Sequence, residues 1–445
     1  MRIAIIGSGI TGLSAAWLMG KHHEVSLFEA EARAGGHSNT VVAKLPDGDI
    51  PVDTGFIVYN EPSYPNLTAL FAHLNIATAP SCMTFAASMQ NGGYEYAGGL
   101  GARGFFGQLS NVFKLGHWRL LKDAIRFSST ALTQIAQYED QVSLGEFLQR
   151  EKFGPDFIDR HILPMGAAIW STPPEQMMAY PARSFINFFA NHGLLRLTGH
   201  NPWRTVKGGS REYVQRVLAD SPIDLRLSCP VHKIERLEDG VNIASAQGLE
   251  RFDRVLIATH SDQALRLLAD ADQQEKQILG HVPYCKNLAI LHQDERLMPK
   301  RKAVWSSWNF IGRGPQDPVL VSYWMNSLQP LATKHDLFVT LNPPEGFVAR
   351  GEVARFEYEH PNFDAAAMQA QRDLWRIQGR RHTWFAGAWC GSGFHEDGLQ
   401  AGLAAAEALS GVRRPWEVEN ESGRIHLEPK AQQSETAAPL PEAAE

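Results

Sequence analysis

The chain has 445 residues, a formal charge of −6 and a pI near 6.3. That length exceeds one compact core and predicts two or three intertwined subdomains, and the mildly acidic balance argues against nucleic acid as the main partner. Cys82, Cys229, Cys285 and Cys390 are scattered without CxxC or ligand spacing, so no metal site is expected and the thiols read as reduced, in a cytoplasmic protein.

The apolar N-terminus is broken at once by Gly7, Ser8 and Gly9, which leaves no signal-peptide core. Nothing in the chain reaches the run of about 18 apolar residues that a membrane span needs. Instead "RIAIIGSGITGLSAAWLM" is a β-branched strand, then Gly7-x-Gly9-x-x-Gly12, then a helical pattern. In that order Gly7 permits the tight turn, Gly9 lets the backbone approach a pyrophosphate, and Gly12 lets helix and strand pack closely. The helix start then offers free N–H groups to phosphates. A second strand, "EVSLFEA", ends on Glu29, 20 residues after Gly9, where a carboxylate accepts from adenosine ribose hydroxyls and repels a 2′-phosphate. Glu29 suits NAD or FAD equally, and NADP is disfavoured.

"GGLGARGFFG" repeats the glycine spacing at Gly99, Gly101 and Gly104, but with no β-branched strand before it and no ribose acid after it. It reads as a flexible loop. Between Leu100 and Tyr180 the pattern turns mostly helical. Within it, residues 104–135 combine Phe105, Phe106, Leu109, Phe113 and Trp118 with Lys114, Arg119, Lys122 and Arg126 against only Asp123. Two readings stand: an amphipathic helix lying on an anionic bilayer at the inner face of the membrane, or a substrate-domain helix with a solvated basic face. Ile162–Phe185, rich in Met, Trp, small residues and proline, reads either as the lining of an acyl tunnel or as core. "RTVKGGSREYVQRVLAD" is a glycine turn and an amphipathic helix. "NLAILHQDERL", "PVLVSYWMNSL" and "LFVTLNPP" alternate as strands of an antiparallel sheet.

Two later segments lean to FAD. "ERFDRVLIATH" is a strand ending in small residues, Thr259 among them, and "TWFAGAWCGSGFHEDGLQAGLAAAEAL" is a strand, a glycine-rich loop and an Ala-rich helix starting near Gly398. Such a helix start can aim N–H groups at flavin carbonyls. No second strand-led glycine motif marks a nicotinamide domain, so an NAD-dependent dehydrogenase is the last choice.

Glu29, Gly35, Gly36, "PVDTGFIVYN" and "FAGAWCGSGFHEDG" resemble the flavin amine oxidase, protoporphyrinogen oxidase and phytoene desaturase superfamily, from Met1 to about Gly411. "GGHSNTV" with "VDTGFIVYNEPSYPNLTALFAHLNI" is similar to its subgroup found beside, or fused to, cyclopropane fatty acid synthases. The resemblance implies an α/β chain, α+β overall: a Rossmann-like FAD domain of the glutathione reductase/amine oxidase type with an inserted antiparallel-sheet-plus-helix substrate domain. The FAD domain would comprise residues 1–80, 200–265 and 380–412, the substrate domain 81–199 and 266–379, and 418–445 a disordered tail rich in Glu, Ala, Pro, Gln and Ser.

By the same resemblance Gly7, Ser8, Gly9, Ile10, Thr11 and Gly12 would surround the pyrophosphate, and Glu29 and Ala30 the adenosine ribose. Arg33, Gly36, His37 and Ser38 would wrap the phosphates and ribityl chain, with His37 standing where amine oxidases carry arginine. Thr54, Gly55 and Phe56 would lie against the isoalloxazine, Val231 against adenine, and Thr259, Gly387, Gly398 and Leu399 would close the site. The superfamily's acid after "FAG" is missing, since Ala388 and Trp389 follow Gly387. Phe394 takes a cage-tyrosine position without a convincing second cage residue.

The candidate catalytic groups are His395 and Glu396, then His260, each open to a structural role. An activated acyl chain can also be dehydrogenated without a strong base. The resemblance implies dehydrogenation of a hydrophobic substrate, an unsaturated, methyl-branched or cyclopropane fatty acyl chain of a phospholipid. Oxidation of a small amine, or a non-catalytic flavin-binding partner role beside a fatty acid methyltransferase, are the alternatives.

Overall fold

A computed structural model describes residues 1–139, 141–170, 174–196, 201–312 and 320–428. Its first layer is a parallel sheet of β1 (Arg2–Ile6), β2 (Glu24–Phe28), β3 (Asp224–Arg226), β4 (Arg254–Ile257) and β5 (Thr383–Phe385), in the spatial order β3-β2-β1-β4-β5. Ile3, Ala4 and Ile5 are wholly buried, the pattern of a strand covered on both faces.

Helix α1 (Ile10–Gly20) is buried along its whole length, between this sheet and the C-terminal helix. Further helices that matter below are α2 (Pro65–His73), α3 (Leu115–Ile135), α4 (Leu163–Trp170), α5 (Ala182–Asn191) and α6 (His395–Ser410). The glycines of the first motif have definite tasks. Gly7 sits at φ +99°, and a Cβ on Gly12 would lie 1.8 Å from the Gly7 carbonyl oxygen. Gly402, which sequence analysis passed over, does the same for α1 and α6: its Cβ would meet the Thr11 carbonyl oxygen at 2.3 Å.

The second layer is a seven-stranded sheet in the order 354–361, 284–292, 338–341, 320–324, 308–312, 85–89, 94–98. It contains the three strands expected from alternation but is mixed, because Trp308–Gly312 runs parallel to Phe85–Met89. "GGLGARGFFG" is not a flexible loop: Gly101–Phe105 is a helical turn. The strand before it, Tyr94–Gly98, belongs to the seven-stranded sheet, so no nucleotide turn forms there.

The expected disordered tail also begins too early. Residues up to 428 are described, and the Glu421 carbonyl accepts from Asn66 and Arg414, while the Arg424 guanidinium pairs with Asp397 at 3.5 Å. Low hydrophobicity did not predict order here because polar contacts, together with Ile425 packed on the core, hold this segment. Residues 429–445 and Ser171–Pro173 of the tunnel segment lie outside the described residues. The four cysteines are unpaired, and among the described residues no helix is long and apolar enough to cross a membrane.

Candidate functional site

One cavity of about 1220 Å³ runs between the two sheets. That exceeds the roughly 300–1,000 Å³ of an ordinary small-molecule pocket and leaves space for a dinucleotide plus a second compartment. Ile6, Phe28 and Ala258, at the carboxyl ends of β1, β2 and β4, form one wall, where doubly wound sheets bind ligands.

At the nucleotide end the Glu29 carboxylate accepts from the Ser8 backbone N–H and, on its other oxygen, from the Glu31 N–H, each at 2.9 Å. It is thereby fixed at the mouth of the first turn. Helix α1 starts at Ile10 with no side-chain cap and no acid in its first turn, so its free N–H groups and positive end remain available to phosphate oxygens. A Cβ on Gly9 would meet nothing within 4 Å, so open space lies directly against the backbone. Arg33 Nη1 and His37 Nε2 are buried with no hydrogen-bond partner among the described residues, and both residues line the cavity. Buried polar atoms of this kind are normally satisfied, and the acceptor-rich pyrophosphate and flavin of FAD would satisfy them. The residues fit the cofactor.

The middle of the cavity is ringed by histidines. The His37 ring stacks on Tyr358 at 4.9 Å and lies 5.4 Å from His360. Burial, reinforced by His360, His260, His395 and Arg33, holds His37 well below the ordinary histidine value. The His395 ring stacks on Phe56 at 3.8 Å, its Nε2 is 2.7 Å from the Tyr213 hydroxyl, and burial lowers it to about 3. His260 stacks on Tyr284 and its Nδ1 is 3.3 Å from Glu359. Burial lowers His260, while Glu359 works against the shift.

These shifts carry a consequence for stability. Burial lowers His161, His292 and His360 to about 4, and His192 and His395 to about 3. A group depressed in the folded state stabilises the fold above its unfolded value of 6.5, and that stability is lost as pH falls toward the folded value. Each group withdraws about 1.4 kcal/mol per pH unit across that window. Burial raises Asp53 to about 6 and also raises Asp159, Glu396 and Asp397, and these carboxyls act oppositely, but the lowered histidines outnumber them. We expect cooperative unfolding near pH 5, followed by tryptophan fluorescence and flavin release between pH 7 and 4. A fold intact at pH 4 would contradict these burial assignments.

The remaining end of the cavity is an apolar compartment. Its walls include Phe85 of the large sheet, Met165 and Ile169 of α4, Phe188 of α5, and Trp308 and Tyr323. Phe394 borders it, stacked on Phe188 at 4.6 Å. Among the described residues the acids lining the whole cavity lie elsewhere: Glu29 and Glu31 at the nucleotide end, and Glu357 and Glu359 on the 354–361 strand beside Lys286 and His260.

Of the residues expected to hold the cofactor, Gly7, Ser8, Gly9, Ile10, Thr11, Glu29, Ala30, Arg33, Gly36, His37, Thr54, Gly55, Phe56, Val231, Thr259 and Gly387 all line the cavity. Four do not. Gly12 is a packing residue, Gly398 presses on Ile10 and Thr11, and Leu399 is fully buried in core. Ser38 turns away toward the Tyr213 hydroxyl at 2.5 Å.

The Glu396 expectation is corrected. Although next to His395, it is fully buried and accepts from the N–H groups of Asn66 and Leu67 and the side-chain amides of Asn66 and Gln400. It caps the start of α2 and does not face the cavity. The missing acid after "FAG" is replaced by an indole: Trp389 Nε1 donates to the Thr259 carbonyl at 3.1 Å and fastens the β5 loop to the end of β4.

Sequence reasoning missed Tyr284, which starts the 284–292 strand ahead of the alternating stretch, and Tyr358 and His360, whose 354–361 strand it did not read as a strand. It also missed the role of Asp53, buried and accepting from Ser210, Thr40 and Gln329, which ties the 208–210 turn to the Thr54–Phe56 wall.

A family model described as flavin-containing amine oxidoreductase matches residues 10–343. AofH of Mycobacterium tuberculosis, a candidate flavin-containing monoamine oxidase, is 27% identical over 271 residues, covering 58% of this chain and 56% of AofH. The match thus spans little more than half of that relative. A candidate protoporphyrinogen oxidase from Exiguobacterium sp. 255-15 superposes with a TM-score of 0.67 at 16% identity, over 92% of this chain and 98% of that one. The CLA-producing fatty acid isomerase from P. acnes does so with a TM-score of 0.64 at 16% identity, over the same shares. At such identities the likeness establishes the fold alone.

Proposed function

The chain belongs to the flavin-containing amine oxidoreductase family, whose cofactor is FAD, and from that membership we propose that it dehydrogenates a hydrophobic substrate, an unsaturated, methyl-branched or cyclopropane-bearing fatty acyl chain of a phospholipid. The observation that carries this reading is the apolar compartment, walled by Phe85, Met165, Ile169, Phe188, Trp308 and Tyr323, with no carboxylate to meet an ammonium among the described residues. A fold neighbour named for a fatty acid substrate supports it by analogy only.

Bound FAD would supply the two-electron acceptor. The chain's residues do the rest. The α1 start, Arg33 and His37 would hold the phosphates and flavin edge, and Glu29 the ribose. Phe56 and His395, stacked face to face, form a rigid wall beside the reacting position. Burial keeps the His395 ring neutral at pH 7 and, at about 3, weakly basic, which suits a wall and hydrogen-bonding group beside a hydride transfer that needs no strong base. The aromatic compartment excludes water and orients the chain by contact area rather than by polar anchors.

The similarity to AofH favours a second reading, oxidation of a small amine. An anaerobic flavin spectrum separates the two. Phospholipid vesicles rich in methyl-branched unsaturated chains should bleach the oxidised flavin band, and simple amines should not. Bleaching by amines alone overturns the lipid reading. Bound flavin that neither class bleaches would instead favour a non-catalytic role beside a fatty acid methyltransferase.

A further inference from the structure

Helix α3 has two apolar faces. One is core: His117, Leu120, Phe127, Ala131 and Ile135 are buried. His117 fixes its rotation, with Nδ1 2.7 Å from the Tyr94 hydroxyl and the ring stacked on Phe105 at 4.0 Å. A second face, turned to the side of the first, carries Leu115, Trp118, Ile125 and Leu132 at helical spacing, all exposed. The turn leading into α3 adds Leu109, 78% exposed, and Phe113, 89% exposed. The Trp118 indole N–H donates to the Val112 carbonyl at 2.8 Å, so helix and turn present one continuous patch. Apolar groups this open, contiguous and rigidly held mark an interaction surface.

Charge identifies what covers it. Residues 101–122 contain Arg103, Lys114, Arg119 and Lys122 and no acid. Lys114 is turned inward, donating to the Gly93 carbonyl, but Arg103, Arg119 and Lys122 are exposed around the apolar side chains. The patch also continues into the site. Gly98 and Gly99 lie on the cavity wall, and Leu100, next in the chain, is already exposed.

We infer that this surface docks on a lipid bilayer with anionic headgroups, with Leu109, Phe113, Leu115 and Trp118 entering the headgroup–acyl boundary and Arg103, Arg119 and Lys122 against the phosphates. Docking there sets the cavity wall beside the membrane, so that acyl chains enter from the bilayer. Its purpose rests on the acyl-chain reading above; the docking itself does not.

The test is cosedimentation of the FAD-loaded full chain with phosphatidylcholine vesicles, with and without phosphatidylglycerol. Binding should be at least tenfold stronger with phosphatidylglycerol. The double variant Leu109→Asp/Phe113→Asp should lose at least tenfold, and Arg119→Glu/Lys122→Glu about as much, at roughly fivefold per basic group removed. Both variants alter exposed side chains and should keep bound flavin and melting temperature. No vesicle binding, or binding that both variants leave within twofold of the parent, overturns the inference and points to a protein partner. Vesicle binding without flavin bleaching retains the surface and sinks only the substrate reading. Bleaching by detergent-dispersed lipid without vesicle binding does the reverse.

Discussion

Replacing Glu29 by lysine should yield protein that purifies without its yellow cofactor. The carboxylate now accepts from the Ser8 and Glu31 backbone N–H groups at the mouth of the glycine turn. An ammonium accepts nothing, faces those donors, and stands close to the positive end of α1. The two ribose hydroxyls would lose their acceptor as well. At about 1.5–3 kcal/mol for each hydrogen bond to a charged group, FAD affinity should fall roughly 10²–10⁴-fold. Visible absorbance per chain reads the result directly. The parallel sheet does not depend on Glu29, so circular dichroism should show retained secondary structure. A fully flavinylated Glu29→Lys protein would place the adenosine half elsewhere in the cavity.

What made Glu29 legible is that its task is local. Strand, turn, helix start and ribose acid all lie within the first 29 residues, and the glycine requirements there are steric ones: the Gly12 Cβ and the Gly7 carbonyl oxygen cannot share space. The apolar compartment is different. Phe85, Met165, Phe188 and Trp308 come from four separated segments, none of which shows a pattern that core packing would not also produce. Met and Trp density in 162–185 could not separate residues that line a cavity from residues that fill core, and the segment divides: Ile169 lines the cavity while Phe185 is fully buried. For α3 the composition was readable but its rotation was not. Only the His117 anchor shows which apolar stripe faces out. The start of the tail was misjudged for a related reason, since Arg424 is held by Asp397 and by the Ser63 carbonyl, contacts that hydropathy does not register.

Glu396 illustrates the same limit at the site itself, and its replacement by alanine should be the most destabilising single change near the cavity. Position favours it as a base: it follows His395 at the start of α6, beside the expected flavin edge. Its carboxylate, however, is 0% exposed and takes four N–H donors at 2.9–3.0 Å, three of them from Asn66 and Leu67 at the start of α2. Alanine leaves those donors buried and unpaired, a loss of about 3–5 kcal/mol. At roughly 2.1 cal/mol/K of unfolding entropy per residue, a chain of this size should melt about 3–5 °C lower. The rate of flavin bleaching per bound flavin, with whichever substrate responds, should stay within about twofold, because the carboxylate does not reach the cavity. The opposite pattern, an unchanged melting temperature with a rate loss above tenfold, would restore Glu396 as the catalytic acid or base. The expected pattern instead assigns it to holding α2 against α6.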